Sequence, residues 1–184
     1  MALFSKELGI DLGTLFIRVS EGGQIVLQEP TVAAIVIQEQ KMVAWGQEAQ
    51  DMMGKVPESM EVTRPMQNGV IADYEVTEYM LEAVMRKLSG SLRFFGPHVM
   101  ITVPHGVTSV ESRAVHEAVL QAGSREAYLI QQPLAAALGV DLPIGTPSGN
   151  MIVCLGGGAT QAAVLARYGM VAAATMRSGC MSVV

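Results

Sequence analysis

Two glycine-centred phrases concentrate the chemistry of this sequence. The first is Gly9-Ile10-Asp11-Leu12-Gly13-Thr14-Leu15-Phe16-Ile17-Arg18-Val19, and the second is Met151-Ile152-Val153-Cys154-Leu155-Gly156-Gly157-Gly158-Ala159-Thr160-Gln161-Ala162-Ala163-Val164. Each runs an apolar strand into a glycine turn, where backbone N–H groups lack a Cβ screen and can point at a phosphate, and then returns as a second strand. The repeat predicts a duplicated nucleotide clamp. The copies differ where a cation would be held, because Asp11 precedes the first glycine by the same interval at which Cys154 precedes the second. A neutral thiol is no ligand for a hard cation, so one of two converging carboxylates is missing. Three consecutive glycines are costly unless the backbone must bend or approach something closely, and this predicts phosphate contact along Gly156, Gly157, Gly158, Ala159 and Thr160. At Leu15 and Phe16 an apolar pair crowds a phosphate and offers it no side-chain donor, so packing of this pair in the core stands open beside backbone contact.

The elements that must position these turns follow from periodicity. Residues 6–13, 15–21 and 24–37 read as three strands of an antiparallel meander, joined at Gly13 and at Glu21-Gly22-Gly23. Residues 38–74 are more polar and broken by Gly54, Pro57, Pro65 and Gly69, a small inserted subdomain with a strand at Lys41–Trp45 and a short helix near Gln47–Met53. Glu75–Leu88 carries a helical apolar stripe, and His98–Pro104 reads as a strand. Thr108 with Glu111 forms a capping box opening a helix that ends at Gly123; Ala127–Gln132 is the next strand and Pro133–Val140 the next helix. A meander followed by β-α-β-α is an α/β, ribonuclease H-like lobe spanning residues 1–150. Residues 151–184 open a second meander, expected to be a truncated repeat of the first.

Composition limits the function classes. Half of the 184 residues are hydrophobic and 16% are charged, which predicts a folded chain with its sheet covered on both faces. The net charge of −5 and the absence of a basic stripe argue against nucleic acid as a partner. Cys154 and Cys180 lack metal-ligand spacing and read as buried reduced thiols, while His98, His105 and His116 are too scattered to form a ligand set. No apolar run reaches the ~20 residues that span a bilayer, and Met1–Glu7 lacks the pattern of a signal peptide, so a cytoplasmic location is expected.

The ordered series Leu8–Thr14, Glu29-Pro30-Thr31-Val32, Asn68–Thr77, Val103-Pro104, Gln121-Ala122-Gly123, Tyr128–Ala137 and Gly149–Gly158 resembles the actin/heat-shock-chaperone/sugar-kinase ATPase superfamily, and within it the MreB-type bacterial actins. The resemblance implies ATP with Mg2+ between two lobes, and hydrolysis coupled to filament assembly. It further implies a filament under the inner membrane that organises cell-wall synthesis and rod shape. By similarity Gly13, Thr14, Leu15 and Phe16 form the first phosphate turn, with Asp11 placing the cation through water. The family glutamate that orients the attacking water corresponds to Gln132, whose amide can hold a water but cannot accept its proton. Actin itself uses a glutamine for that water. Met181-Ser182 stand where an acidic pair is expected. The resemblance also places a membrane-dipping loop at Leu92–Gly96, where Phe94 and Phe95 beside Arg93 suit a peripheral contact with anionic lipid. Three readings follow. The first is a cytoskeletal protein with a degenerate ATP site, whose partners are itself or a full-length actin-like homologue. The second is a lobe of another superfamily ATPase or kinase, and the third a nucleotide-free regulator of full-length filaments.

Overall fold

The computed structural model describes residues 6–89 and 96–182. Its centre is a five-stranded sheet whose strands run, in spatial order, 126–131, 98–103, 7–12, 16–21 and 24–30. The meander is β1 (Glu7–Leu12), β2 (Phe16–Glu21) and β3 (Gln24–Pro30), each antiparallel to the next. Strands β9 (His98–Val103) and β10 (Glu126–Gln131) add in parallel beside β1. Parallel neighbours need crossover helices, and helix α3 (Ser109–Gln121) supplies the one between β9 and β10. Its start carries the expected capping box in full: Thr108 accepts from the Glu111 N–H, and Glu111 accepts from the Thr108 N–H. Gly123, just past its end, has φ 102°, the left-handed conformation that glycine adopts without a Cβ clash.

Alternation decides which face is dry. Leu8, Ile10, Leu12, Ile17, Val19, Val99, Ile101 and Val103 point to one face. There they pack with Met80, Leu81 and Val84 of helix α2 (Tyr74–Ser89) and with Val115, Ala118 and Val119 of α3. The other face, with Gly9, Asp11, Arg18, Met100 and Thr102, is not covered as expected. Helix α4 (Gln132–Gly139) meets it through Ala135 and Leu138, and a groove of about 360 Å³ lies between. The sheet is mixed, with two parallel and two antiparallel pairings, and its second face is partly polar, so one fully covered face satisfies it.

Residues 24–37 do not form one strand. The chain turns after Pro30, where the Val32 N–H donates to the Pro30 carbonyl at 2.9 Å. It then continues as β4 (Ala33–Val36), the middle of a separate three-stranded sheet with β5 (Lys41–Trp45) and β6 (Met60–Thr63). Helix α1 (Gln47–Asp51) closes this small unit around Val32, Ala34, Ala44 and Ala49. A two-stranded ribbon, β7 (Met66–Gln67) and β8 (Val70–Ile71), leads from it to α2.

The second meander is β11 (Asn150–Leu155), β12 (Thr160–Ala166) and β13 (Gly169–Met176), antiparallel throughout. Its inner face docks on α4, where Ala137, Ile144, Ala163 and Leu165 are buried together. Helix α4 is therefore a wedge between the two sheets. The outer face is open, with Met151, Val153, Leu155, Val171 and Met176 exposed.

Candidate functional site

The two hairpin turns close in the same way. The Gly13 N–H donates to the Phe16 carbonyl at 3.1 Å, and the Gly156 N–H donates to the Ala159 carbonyl at 2.9 Å. The docking of β11 and β12 on α4 brings these turns face to face, in crossed register. The second residue of the first turn, Thr14, meets the third glycine of the other, Gly158, and the third residue, Leu15, meets Gly157. Such i-to-j and j-to-i pairing is the geometry of a pseudo-twofold contact. A Cβ on Gly157 would lie 2.5 Å from Leu15 Cγ, and one on Gly158 would collide with the Thr14 hydroxyl and stand 2.9 Å from the Gly69 nitrogen. The close approach expected at these glycines is thus made by the protein's own atoms.

Loop residues outside the turns lock the contact. Thr14 Oγ1 accepts from the Gly69 N–H at 3.1 Å and is buried. Thr31 donates its hydroxyl to the Gly13 carbonyl at 2.8 Å and its N–H to the Leu15 carbonyl at 2.9 Å. From the far side, the Cys180 and Met181 N–H groups each donate at 3.0 Å to the Gly156 and Gly157 carbonyls. The N–H groups of Thr14, Leu15, Gly157 and Gly158 donate to no acceptor among the described residues. Four such donors on two apposed turns are a set suited to an anion.

The carboxylate position is less suited to its cation. Asp11 accepts from Thr102 Oγ1 at 2.9 Å and pairs with Arg18, whose Nη1 stands 3.4 Å away. Arg18 is itself held by Gln28 and lies over the Phe16 ring. Cys154 is near enough to feel Asp11: burial, and then the Asp11 charge, push its thiol above the ordinary range, so it stays protonated. Among the described residues no three His, Cys, Asp or Glu side chains group as a metal site. One carboxylate already facing a guanidinium, beside a neutral thiol, does not fit a hydrated Mg2+. Cys180, expected to be buried, is exposed, and both cysteines are free.

Gln132 opens α4, next to the turns. Its side-chain oxygen accepts from Gln161 Nε2, while Gln161 Oε1 accepts from the His105 N–H at 2.7 Å. Thr175 donates to the His105 carbonyl at 2.8 Å, and His105 Nδ1 lies 2.8 Å from Gln131 Oε1. This amide chain joins the second sheet to the first at the position implied for a reactive water. Gln161, Thr31, Thr102 and Gly69 are the site residues that sequence reasoning missed. Gln161 left a signal: it shares the buried face of β12 with Ala163 and Leu165, where a polar side chain needs a partner. Thr160 begins β12, half-buried. Phe94 and Phe95 lie outside the described residues. No helix among the described residues is long and apolar enough to cross a membrane.

A model of the MreB/Mbl protein family matches residues 5–182. Cell shape-determining protein MreB of Haemophilus influenzae is 45% identical over 184 residues, covering 96% of this chain and 52% of the relative. Cell shape-determining protein Mbl of Bacillus subtilis is 40% identical over 176 residues, covering 95% and 53%. The chain spans about half the length of the curated relatives it matches. Among solved structures, MreB 5 of Spiroplasma citri bound to AMPPNP superposes with a TM-score of 0.85 at 27% identity, over 95% of this chain and 53% of that one.

Proposed function

The chain belongs to the MreB/Mbl family, and from that premise we propose that it is an actin-like cytoskeletal protein of rod shape and cell-wall organisation whose ATP site is degenerate. Its parts are an actin-like first lobe over residues 1–150, with the inserted subdomain at about 38–74, and the opening meander of a second lobe over 151–184. The observation that carries the reading is the crossed pair of glycine turns with four free N–H donors, the form of a phosphate clamp. The Spiroplasma citri relative was solved with AMPPNP. That nucleotide supports reading ATP, with Mg2+ as the resemblance implies, as the ligand such a clamp is built for, and on this reading the chain binds it weakly or not at all.

Two substitutions support that loss. Cys154 stands where a second carboxylate would hold the cation, and its thiol is protonated. Gln132 stands where a base would orient water, and its amide oxygen is already taken by Gln161. A kinase or another ATPase of the superfamily is expected to place an acidic base near the phosphates, and Gln132 and Cys154 in those places weigh against the enzyme reading. Partners follow from the class: a second copy or a full-length actin-like homologue, with peripheral attachment to the inner membrane surface through Phe94 and Phe95.

Two measurements test the proposal together. Calorimetry with Mg-ATP should give no micromolar binding and phosphate release should stay at background. Mixing the chain with a full-length MreB should change the mass of sedimented polymer. Sustained turnover, or a polymer mass indifferent to the chain at equimolar ratio, would overturn it.

A further inference from the structure

The clamp offers four N–H donors, yet one approach to it is already taken by a side chain. We propose that Leu15 is a built-in plug on the second glycine turn, seated where an anion would reach the Gly157 backbone, so that the clamp closes on itself. This rests on the reading of the paired turns as a phosphate clamp, and it names the residue that decides what the clamp accepts.

Three observations converge on Leu15. Its Cγ and Cδ1 stand 2.5 Å and 2.7 Å from where a Gly157 Cβ would be, so the side chain lies directly on that backbone. The turn cannot retreat, because its carbonyls at Gly156 and Gly157 are held from behind by the Cys180 and Met181 N–H groups. Leu15 cannot easily withdraw either. Thr31 fixes both the Leu15 and the Gly13 carbonyls, and Gly69 fixes the Thr14 hydroxyl beside it.

The crossed contact is chemically unequal, and that inequality is the core of the inference. On Gly158 sits a hydroxyl already engaged with a backbone N–H, a polar neighbour compatible with an anion. On Gly157 sits an isobutyl group. A phosphate brought against it would lose hydration and gain no donor in return, which is costly for a charged group. Leu15 therefore excludes anions from turns whose backbone is otherwise suited to them, and the contact joins the two turns through the protein's own atoms.

The test uses the whole chain, with inorganic pyrophosphate as probe and backbone amide NMR as readout. In the parent, the Gly157 and Gly158 amide signals should not move at millimolar pyrophosphate. In Leu15→Ser they should shift along a saturable curve. Parent signals that shift like those of the variant would overturn the plug, as would a folded Leu15→Ser chain that stays silent. The second of these leaves the degenerate-site reading standing, whereas tight Mg-ATP binding by the parent removes both. A ligand-free measurement keeps the inference testable should Leu15→Ser bind nothing for lack of a fold. Gly157→Ala should lower the melting temperature of the parent by several degrees. In a Leu15→Ala background, which removes the two nearest atoms and leaves only Cβ at 3.2 Å, it should lower it by much less. Equal losses in the two backgrounds would mean that Leu15 does not sit on Gly157.

Discussion

Replacing Arg177 by glutamine should loosen the second sheet from the first without unwinding α3, and should do so only where Glu111 is ionised. Arg177 follows β13 and reaches Glu111 with both guanidinium nitrogens, Nη1 to Oε1 at 2.7 Å and Nη2 to Oε2 at 3.0 Å. Glu111 belongs to the first turn of α3 and also accepts from the Thr108 N–H at 2.7 Å, so one carboxylate serves as cap and as tether. The Arg177 hydrogen bonds first, and the Thr108 N–H second, hold its carboxyl at about 2 against an ordinary 4.5. At about 1.4 kcal/mol per pH unit of difference the ceiling is ~3.4 kcal/mol. The Arg177 side chain is 44% exposed, and solvent screening brings the working figure down to about 1–1.5 kcal/mol, with Arg177 supplying the larger part.

The sign follows from the direction of the shift. The folded carboxyl titrates below the unfolded one, so its contribution is fully present above pH 4.5 and is lost as pH falls toward 2. Urea unfolding at neutral pH should therefore place Arg177→Gln about 1 kcal/mol below the parent, with the gap narrowing steadily below pH 4.5. Glu111→Ala should cost roughly another 1 kcal/mol, since it removes half of the capping box as well. A gap of the same size at pH 3 would assign the effect to packing, and no gap at neutral pH would mean that the pair tethers nothing.

Three further outcomes are expected. Leu165→Ala empties a fully buried position between β12 and α4 and should lower unfolding free energy by ~2–5 kcal/mol; a loss under about 1 kcal/mol would show that the second sheet is not docked there. Gln161→Leu leaves the His105 N–H and the Gln132 amide without their partner, so about 1–3 kcal/mol should be lost in the same assay, and an unchanged midpoint would remove Gln161 from the inter-sheet network. Phe94→Ser with Phe95→Ser should reduce sedimentation with anionic vesicles, each ring contributing ~1.5–3 kcal/mol at full burial, whereas equal sedimentation would return that loop to ordinary surface.

Legibility in the sequence tracked the range of the interaction. The Thr108–Glu111 capping box and the stop at Gly123 were readable because every atom involved lies within a few residues. The β-α-β-α succession was readable because period and connection length constrain each other. The run 24–37 reads as one strand, and is not, for the opposite reason. Its apolar pattern continues across Pro30, while the break between β3 and β4 is set by the Thr31 N–H bonding to Leu15, a partner in another hairpin. Strand β6 has no local signal because its residues are strand only by pairing with β4, across Ala33 to Thr63 and Val36 to Met60. The uncovered second sheet face was equally invisible, since coverage depends on where α4 lodges.

The site divides along the same line. That two turns repeat is local information, and the sequence carries it at the same spacing in both copies. That they meet in crossed register is not, because it depends on the α4 wedge and on the burial of Ala163 and Leu165 against it. The reading of Leu15 shows the consequence. Core packing and phosphate contact were the two alternatives, and the structure supplies a third, in which the side chain packs on the opposite turn. A glycine run reports that something approaches the backbone closely, without reporting what. At Gly157 and Gly158 the approaching atoms are Leu15 and Thr14, so these glycines would be required here whether or not a phosphate ever binds. On the proposed reading the acids are under no such constraint, since a thiol at 154 and an amide at 132 are accommodated in the fold. Side chains around such a clamp can therefore change one at a time while its backbone stays fixed by packing.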